Sequence, residues 1–160
     1  MADIRPFREN DAEPVVALSL RAWEPVHESI REVLGDEPFE RRNRPDWRTR
    51  QGRDVRAVLA GEDNTVWVAE DEGRVVGFVA ATIHHDDDAG EIQMLAVDPP
   101  SQNRGIGTEL TEVATAWIRG SGVSVAFIST GGDVGHAAAR ATYDKAGYRR
   151  LPVTYFLKAL

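Results

Sequence analysis

The residues best placed to do chemistry are Gln102-Asn103-Arg104-Gly105-Ile106-Gly107-Thr108, between a strand-like run and an amphipathic helical stripe. The first turn of a helix has backbone N–H groups without intrahelical partners and carries the positive end of the helix dipole, so it can hold a phosphate or pyrophosphate. Glycines at 105 and 107 let such a ligand approach the backbone. A Gly-x-Gly pair alone is equally a tight turn. Two better-known phosphate loops fail here: Leu110 stands where a dinucleotide fingerprint needs its third glycine, and no Gly-Lys-Ser/Thr follows Gly105.

The helix that must present this loop follows it directly. Ile106, Leu110, Val113, Ala114, Trp117 and Ile118 form one apolar stripe, closed by Gly120-Ser121-Gly122. Ahead of the loop, Thr65 to Glu70 and Arg74 to Ile83 predict a β-hairpin turning at Asp71-Glu72-Gly73, and a third antiparallel strand is expected from Glu91 to Val97. The chain opens on a strand at Ile4 to Arg8. A helix capped near Asn10-Asp11 follows, then a second short helix after Pro25, ended by Gly35. Asp46 caps a third helix carrying Trp47, Val55, Val58 and Leu59. After the amphipathic helix come a buried strand from Val123 to Ser129, an alanine-rich helix from Asp133 to Ala146 and a last strand from Tyr148 to Leu157.

Composition narrows the function. A chain of 160 residues suits one domain, 1–160, with its own core. Without cysteine there is no disulfide framework, thiolate metal site or cysteinyl intermediate, and a cytoplasmic setting is expected. The net charge of −7 argues against nucleic acid, and no apolar run is long enough to cross a membrane. Seven arginines between Arg41 and Arg56 are diluted by Glu40, Asp46 and Asp54 and read as a solvated helix face. His84-His85-Asp86-Asp87-Asp88 mixes metal-ligand types but has no spaced partner, so a solvated hairpin tip is expected and no metal site. Trp23 is expected to pack between elements.

Leu95-Ala96-Val97-Asp98-Pro99, followed by Gln102 to Gly107 and later by Tyr143-Asp144-Lys145-Ala146-Gly147-Tyr148, resembles the GNAT superfamily of acyl-CoA-dependent N-acyltransferases over nearly the whole chain. The resemblance implies an α/β GNAT fold: a mixed, strongly curved sheet with antiparallel N-terminal strands, flanked by helices on both faces. The strands ending near Val97 and beginning near Val123 would splay apart. It implies acetyl-CoA as cosubstrate, held by the amides around Gln102, Asn103, Arg104, Gly105, Ile106, Gly107 and Thr108, with the backbone of Leu95, Ala96 and Val97 pairing the pantetheine arm. His136 stands where many relatives have asparagine against that arm. Asn103 replaces a frequent glycine, which its tolerance of left-handed backbone allows.

Acyl transfer then assigns roles. A primary amine with a pKa of about 10.4 must lose a proton before it attacks, and Glu91 is the candidate base. An N–H at or beside Val97 would stabilise charge on the thioester oxygen. Tyr143 matches the family's general acid for the departing thiolate. His27 and Glu28 belong to helices that border the acceptor pocket in such proteins. The implied function is direct transfer to an amine substrate in a ternary complex, with the acceptor unread and a homodimer left open; the alternative is an idle acyl-CoA-binding sensor or regulatory module.

Overall fold

A computed structural model describes residues 1–160. Five strands lie in one sheet in chain order: β1 (Asp3–Pro6), β2 (Asn64–Asp71), β3 (Arg74–His84), β4 (Ala89–Val97) and β5 (Val125–Ile128). The first three pairings are antiparallel and β4–β5 is parallel. Three helices, α1 (Ala12–Leu34), α2 (Asp36–Arg42) and α3 (Trp47–Ala60), separate β1 from β2. A fourth, α4 (Ile106–Gly120), links β4 to β5, and α5 (Ala137–Lys145) follows β5. This is the mixed α/β sheet that the sequence predicts.

Strand alternation sends side chains to two cores. On one face Val66, Val68, Phe78, Ala80 and Ala96 meet Val15, Val16 and Leu18 of α1 and Val55 of α3. On the other, Ala69, Val79, Ala81 and Ile92 meet Ile106, Leu110, Ala114 and Ile118 of α4, with each buried valine, leucine or isoleucine contributing roughly 1.5–3 kcal/mol. The α4 stripe is the predicted one, and Trp117 at its margin sets its ring edge-on to Trp67 with centroids 5.7 Å apart.

Two glycines permit the close seat of α4. A Cβ on Gly90 would lie 2.4 Å from Cγ2 of Ile118, and one on Gly77 would lie 3.1 Å from both Cδ1 of Leu110 and the Ala96 carbonyl oxygen. A Cβ at Gly90 forces Ile118 or the helix to shift, whereas one at Gly77 asks its neighbours to give by a few tenths of an ångström.

The N-terminal helices differ from expectation. Helix α1 runs unbroken through Pro25 for 23 residues, where two helices were expected. An internal proline costs a helix about 3 kcal/mol. Burial of Val15, Val16 and Leu18 before it, and the Ser29 hydroxyl donating to Asp133 at 2.5 Å after it, hold both halves in place. Helix α2 falls where only punctuation was read, and it is anchored by the buried Phe39. Asp46 caps α3 as predicted, accepting from the Thr49 N–H at 2.8 Å. Asp11 precedes α1, but its carboxylate is engaged elsewhere, by both Arg5 guanidinium nitrogens (2.7 and 2.9 Å) and the Arg8 N–H. The hydrogen bonds from Arg5 hold Asp11 below the usual carboxylate range. The arginine-rich stretch is solvated and paired, with Arg56 on Glu13 and Arg41 on Glu37.

The C-terminal end departs most. β5 is four residues long with Val125 and Phe127 exposed, against a longer buried strand expected, and Tyr148 to Leu157 forms no strand. A strand needs a neighbour to satisfy its backbone, and residues 149–160 pair with none.

Gly90→Ala is expected to lower stability by about 1–3 kcal/mol through the clash with Ile118. In chemical denaturation the loss should shrink when combined with Ile118→Ala, since the double variant removes the colliding atoms. Strict additivity would show that α4 does not rest on Gly90.

Candidate active site

The site is built where β4 outruns β5. Parallel pairing covers only Ala89–Ile92 against Val125–Ile128. Just beyond it Ala80 faces Met94 while Ala81 faces Ile92, so Gln93 is an extra residue that bulges β4 and turns it away. From Met94 to Val97 the strand has β3 on one side and no strand on the other. This is the expected splay, and it leaves the backbone of Leu95, Ala96 and Val97 along an open gap.

The loop leaving β4 is fastened from several sides. The Asp98 N–H donates to the Val76 carbonyl at 2.8 Å, and its carboxylate accepts two hydrogen bonds from Arg21 of α1 at 2.9 and 2.8 Å. Gln102 Nε2 donates to the Val97 carbonyl at 3.0 Å, and Arg104 pairs with Asp71 at 2.9 Å. Asn103 takes φ +61° and Gly105 φ +86°, the left-handed conformations that aim successive N–H groups the same way. The Glu109 N–H closes on the Gly105 carbonyl at 3.1 Å, and no amide from Asn103 to Thr108 donates to a protein acceptor. Six amides without a protein acceptor therefore lie at the positive end of α4, where negative charge is favoured, and the nearby Arg104 is already paired. Gly107 joins its walls: a Cβ there would sit 3.7 Å from both Val97 Cγ2 and Thr142 Cγ2, so strand end, helix start and α5 meet at this residue.

The other predicted residues flank this gap. Tyr143 follows Thr142 on α5 and sets its ring edge-on to Tyr148, with centroids 6.4 Å apart. Its hydroxyl makes no hydrogen bond to the protein, whereas that of Tyr148 is tied to Thr115 Oγ1 at 2.7 Å. Burial, with a smaller contribution from Tyr148, pushes the Tyr143 pKa up to about 12, so the phenol keeps its proton at neutral pH. His136 is fixed at the start of α5, its Nδ1 2.5 Å from Asp133 Oδ1. Burial works to raise the Asp133 pKa, but hydrogen bonds from Ser29 and His136 outweigh it and leave the carboxylate below its usual range.

Glu91 stands at the mouth of the splay, opposite Phe127 of β5, with roughly 13 Å of strand between it and Leu95. Its carboxylate is 2.8 Å from Nε2 of His84, whose ring stacks on Phe127 at 5.9 Å. Sequence reasoning assigned His84 to a solvated tip; the structure makes it the last residue of β3 and a partner of Glu91. The register of a hairpin turning at Asp86 to Asp88 is the signal that would have found this pairing. The residues of α1 that the resemblance set beside an acceptor pack against the sheet and α3. Trp23 packs edge-on to Phe78 at 6.2 Å, as expected, and His27 stacks on Trp47 at 4.3 Å with Nε2 3.1 Å from Gln51 Oε1. Burial pushes the His27 pKa down, and its buried Nδ1 has no partner.

The one parallel pair of the sheet thus parts midway, and a helix with free amides at its start lies beside the gap. The chain belongs to the Acetyltransferase (GNAT) family, whose model matches residues 27–148. It is 30% identical over 119 residues to a mycothiol acetyltransferase of Cellulomonas flavigena, covering 64% of this chain and 34% of that protein. It therefore spans about a third of the length of that relative. It is 28% identical over 149 residues to the S-(2-succino)cysteine N-acetyltransferase of Bacillus subtilis, covering 89% of this chain and 81% of that one. The fold matches AAC(6')-Iy in complex with a bisubstrate analog, CoA-S-monomethyl-acetylneamine, with a TM-score of 0.69 and 17% identity, covering 100% of this chain and 99% of that one.

Added CoA is expected to raise the melting temperature, because a ligand that binds only the folded state stabilises it by mass action. Gly107→Asp should abolish that shift by placing a negative charge against the cradle. Gly107→Ala, whose Cβ meets only ordinary contacts at 3.7 Å, should keep the apo melting temperature near the parent value. An undiminished shift in Gly107→Asp would move the cofactor elsewhere.

Proposed function

We propose that this chain is an N-acetyltransferase that moves the acetyl group of acetyl-CoA directly onto a small-molecule amine. The observation that carries it is the row of free amides from Asn103 to Thr108 at the foot of the gap beside Leu95 to Val97. That arrangement fits a pyrophosphate followed by an amide-bearing arm, and family membership supports the same reading. Bound acetyl-CoA supplies the acetyl group as an activated thioester.

The chain's own residues divide the remaining work. Glu91 accepts the proton of the acceptor amine, directly or through water, and His84 fixes the carboxylate at 2.8 Å. A backbone N–H at or beside Val97 stabilises charge developing on the carbonyl oxygen. As the nitrogen–carbon bond forms and the carbon–sulfur bond breaks, Tyr143 gives its proton to the departing sulfur. With no cysteine in the chain, the acyl group passes in a ternary complex. The recess lined by His27, Ile30, Arg42, Trp47, Arg50 and Gln51 is where the helices before residue 61 act on acceptor choice. The idle-module alternative has less support, since the similar proteins are named as acetyltransferases.

Turnover of acetyl-CoA with a panel of amines, followed as released thiol, tests the activity itself. Glu91→Gln should lower the rate most on the acidic side of the pH profile, where the amine is most protonated; an unchanged profile and rate would remove Glu91 from the mechanism. Tyr143→Phe should leave CoA affinity nearly unchanged and reduce kcat by about 10²–10⁴-fold. An acyl donor whose leaving group departs without protonation should narrow that gap, and equal losses with both donors would make Tyr143 a positioning residue.

A further inference from the structure

The loop that leaves β5 builds a second polar cluster, around His136. Its 3-10 turn, Val134–His136, packs against α1 and leads directly into α5. Asp133 is the hub. Its carboxylate accepts from the Ser29 hydroxyl of α1 at 2.5 Å and from the Gly135 N–H at 3.1 Å, and it lies 2.5 Å from Nδ1 of His136. Arg140 of α5 fastens the same loop by donating to the carbonyls of Gly131 and Asp133 at 2.6 and 2.7 Å. The fit leaves no slack: a Cβ on Gly131 would lie 2.4 Å from both Asp133 Oδ1 and His136 Nδ1, and one on Gly135 would lie 2.7 Å from the Ser29 Cβ.

This packing decides the state of the ring. The Asp133 carboxylate is ionised at neutral pH and can only accept, so Nδ1 carries a proton and neutral His136 keeps its lone pair on Nε2. Nε2 has no partner in the protein and reaches solvent. A ring oriented at one nitrogen by a carboxylate and open at the other is the arrangement of a proton acceptor.

Its position suits acyl transfer. The loop starts from Ile128, which pairs with Ile92 at the point where β4 and β5 part. Tyr143 follows His136 by seven residues, about two helical turns, so the two side chains leave α5 on one side. His136 therefore stands beside the opening of the gap, between the helix that carries Tyr143 and α1, to which Ser29 ties its loop.

An ammonium loses two protons on its way to an amide, one before the nitrogen attacks and one after the nitrogen–carbon bond has formed. Under the acetyl-transfer reading above, on which this inference rests, Glu91 takes the first, and the proton that Tyr143 gives goes to sulfur. The second nitrogen proton is left without a destination. We propose that His136, oriented by Asp133, takes that second proton from the acceptor nitrogen as the carbon–sulfur bond breaks. The imidazolium then returns it, through water along the shared side of α5, to the phenolate that Tyr143 has become. The proton left on Glu91 is the one that the whole reaction releases. In this scheme His136 is a catalytic residue and Asp133 a positioning residue.

Chemical rescue tests the assignment, with acetyl-CoA and whichever amine of the panel the parent chain turns over fastest, followed as released thiol. His136→Ala should lower kcat by about 10²–10⁴-fold with little change in the KM for acetyl-CoA. Imidazole in solution should restore part of that rate, and substituted imidazoles of similar size should do so in the order of their basicity, which no structural role produces. Asp133→Asn should also lower kcat, and combining it with His136→Ala should lower it no further, because the carboxylate acts only through the ring. A loss that falls on the acetyl-CoA KM, a kcat loss that no imidazole relieves, or an unchanged rate in His136→Ala each overturns the proposal while leaving acetyl transfer intact. A parent chain that releases no thiol with any amine overturns the acetyl-transfer reading and this proposal with it.

Discussion

Everything at the site depends on how closely α4 lies on the sheet. The helix can present its first turn to the end of β4 only because Gly77 and Gly90 leave room beneath Leu110 and Ile118. A Cβ at Gly90 would push against Ile118 and one at Gly77 would press on Leu110, so both glycines favour the close seat that sets where the free amides at the helix start lie. Sub-ångström placement matters here because backbone donors cannot adjust by changing rotamer. Packing of α4 is therefore both a core interaction and a positioning device for the cradle.

The second constraint is the early parting of β4 and β5. Parallel pairing stops at Ile92 and Ile128, and the extra residue Gln93 bends β4 at that point. A sheet that stayed paired to Val97 would have no unclaimed backbone along Leu95 to Val97. The gap in turn demands outside support for the loop that follows, and Arg21, Gln102 and the Val76 carbonyl supply it from α1, the loop itself and β3. Binding residues thus sit on mobile-looking sequence that the surroundings hold rigid.

The turn and helix start around Gly105 were legible because their signal is local. Glycines 105 and 107, the apolar period of α4 and the Val97-Asp98-Pro99 turn all lie within about twenty residues, and each has a backbone reason to be there. Contacts that join distant segments were not legible. Nothing in the sequence around Gly90 announces Ile118, and nothing around His84 announces Phe127, on which its ring stacks. Pro25 misled for the opposite reason, since local propensity argued for a break and tertiary packing on both sides overrode it. The strand expected at Tyr148 to Leu157 has the right alternation, but pairing is a property of neighbours and not of one segment.

The same distinction explains how an acidic chain can present a phosphate site. A net charge of −7 repels a polyanion at a distance, but at physiological ionic strength that field decays over about 8 Å. Within contact range the local donors decide, and here six amides without a protein acceptor lie at and just before a helix start. Arg104, the obvious cation in the motif, is already paired with Asp71, so it anchors the loop against β2. The chain has only two lysines, Lys145 and Lys158, both near its C-terminus. Recognition by backbone, as proposed, would leave the side chains of the first turn free to vary and would make affinity depend on conformation at Asn103 and Gly105 more than on any single charge.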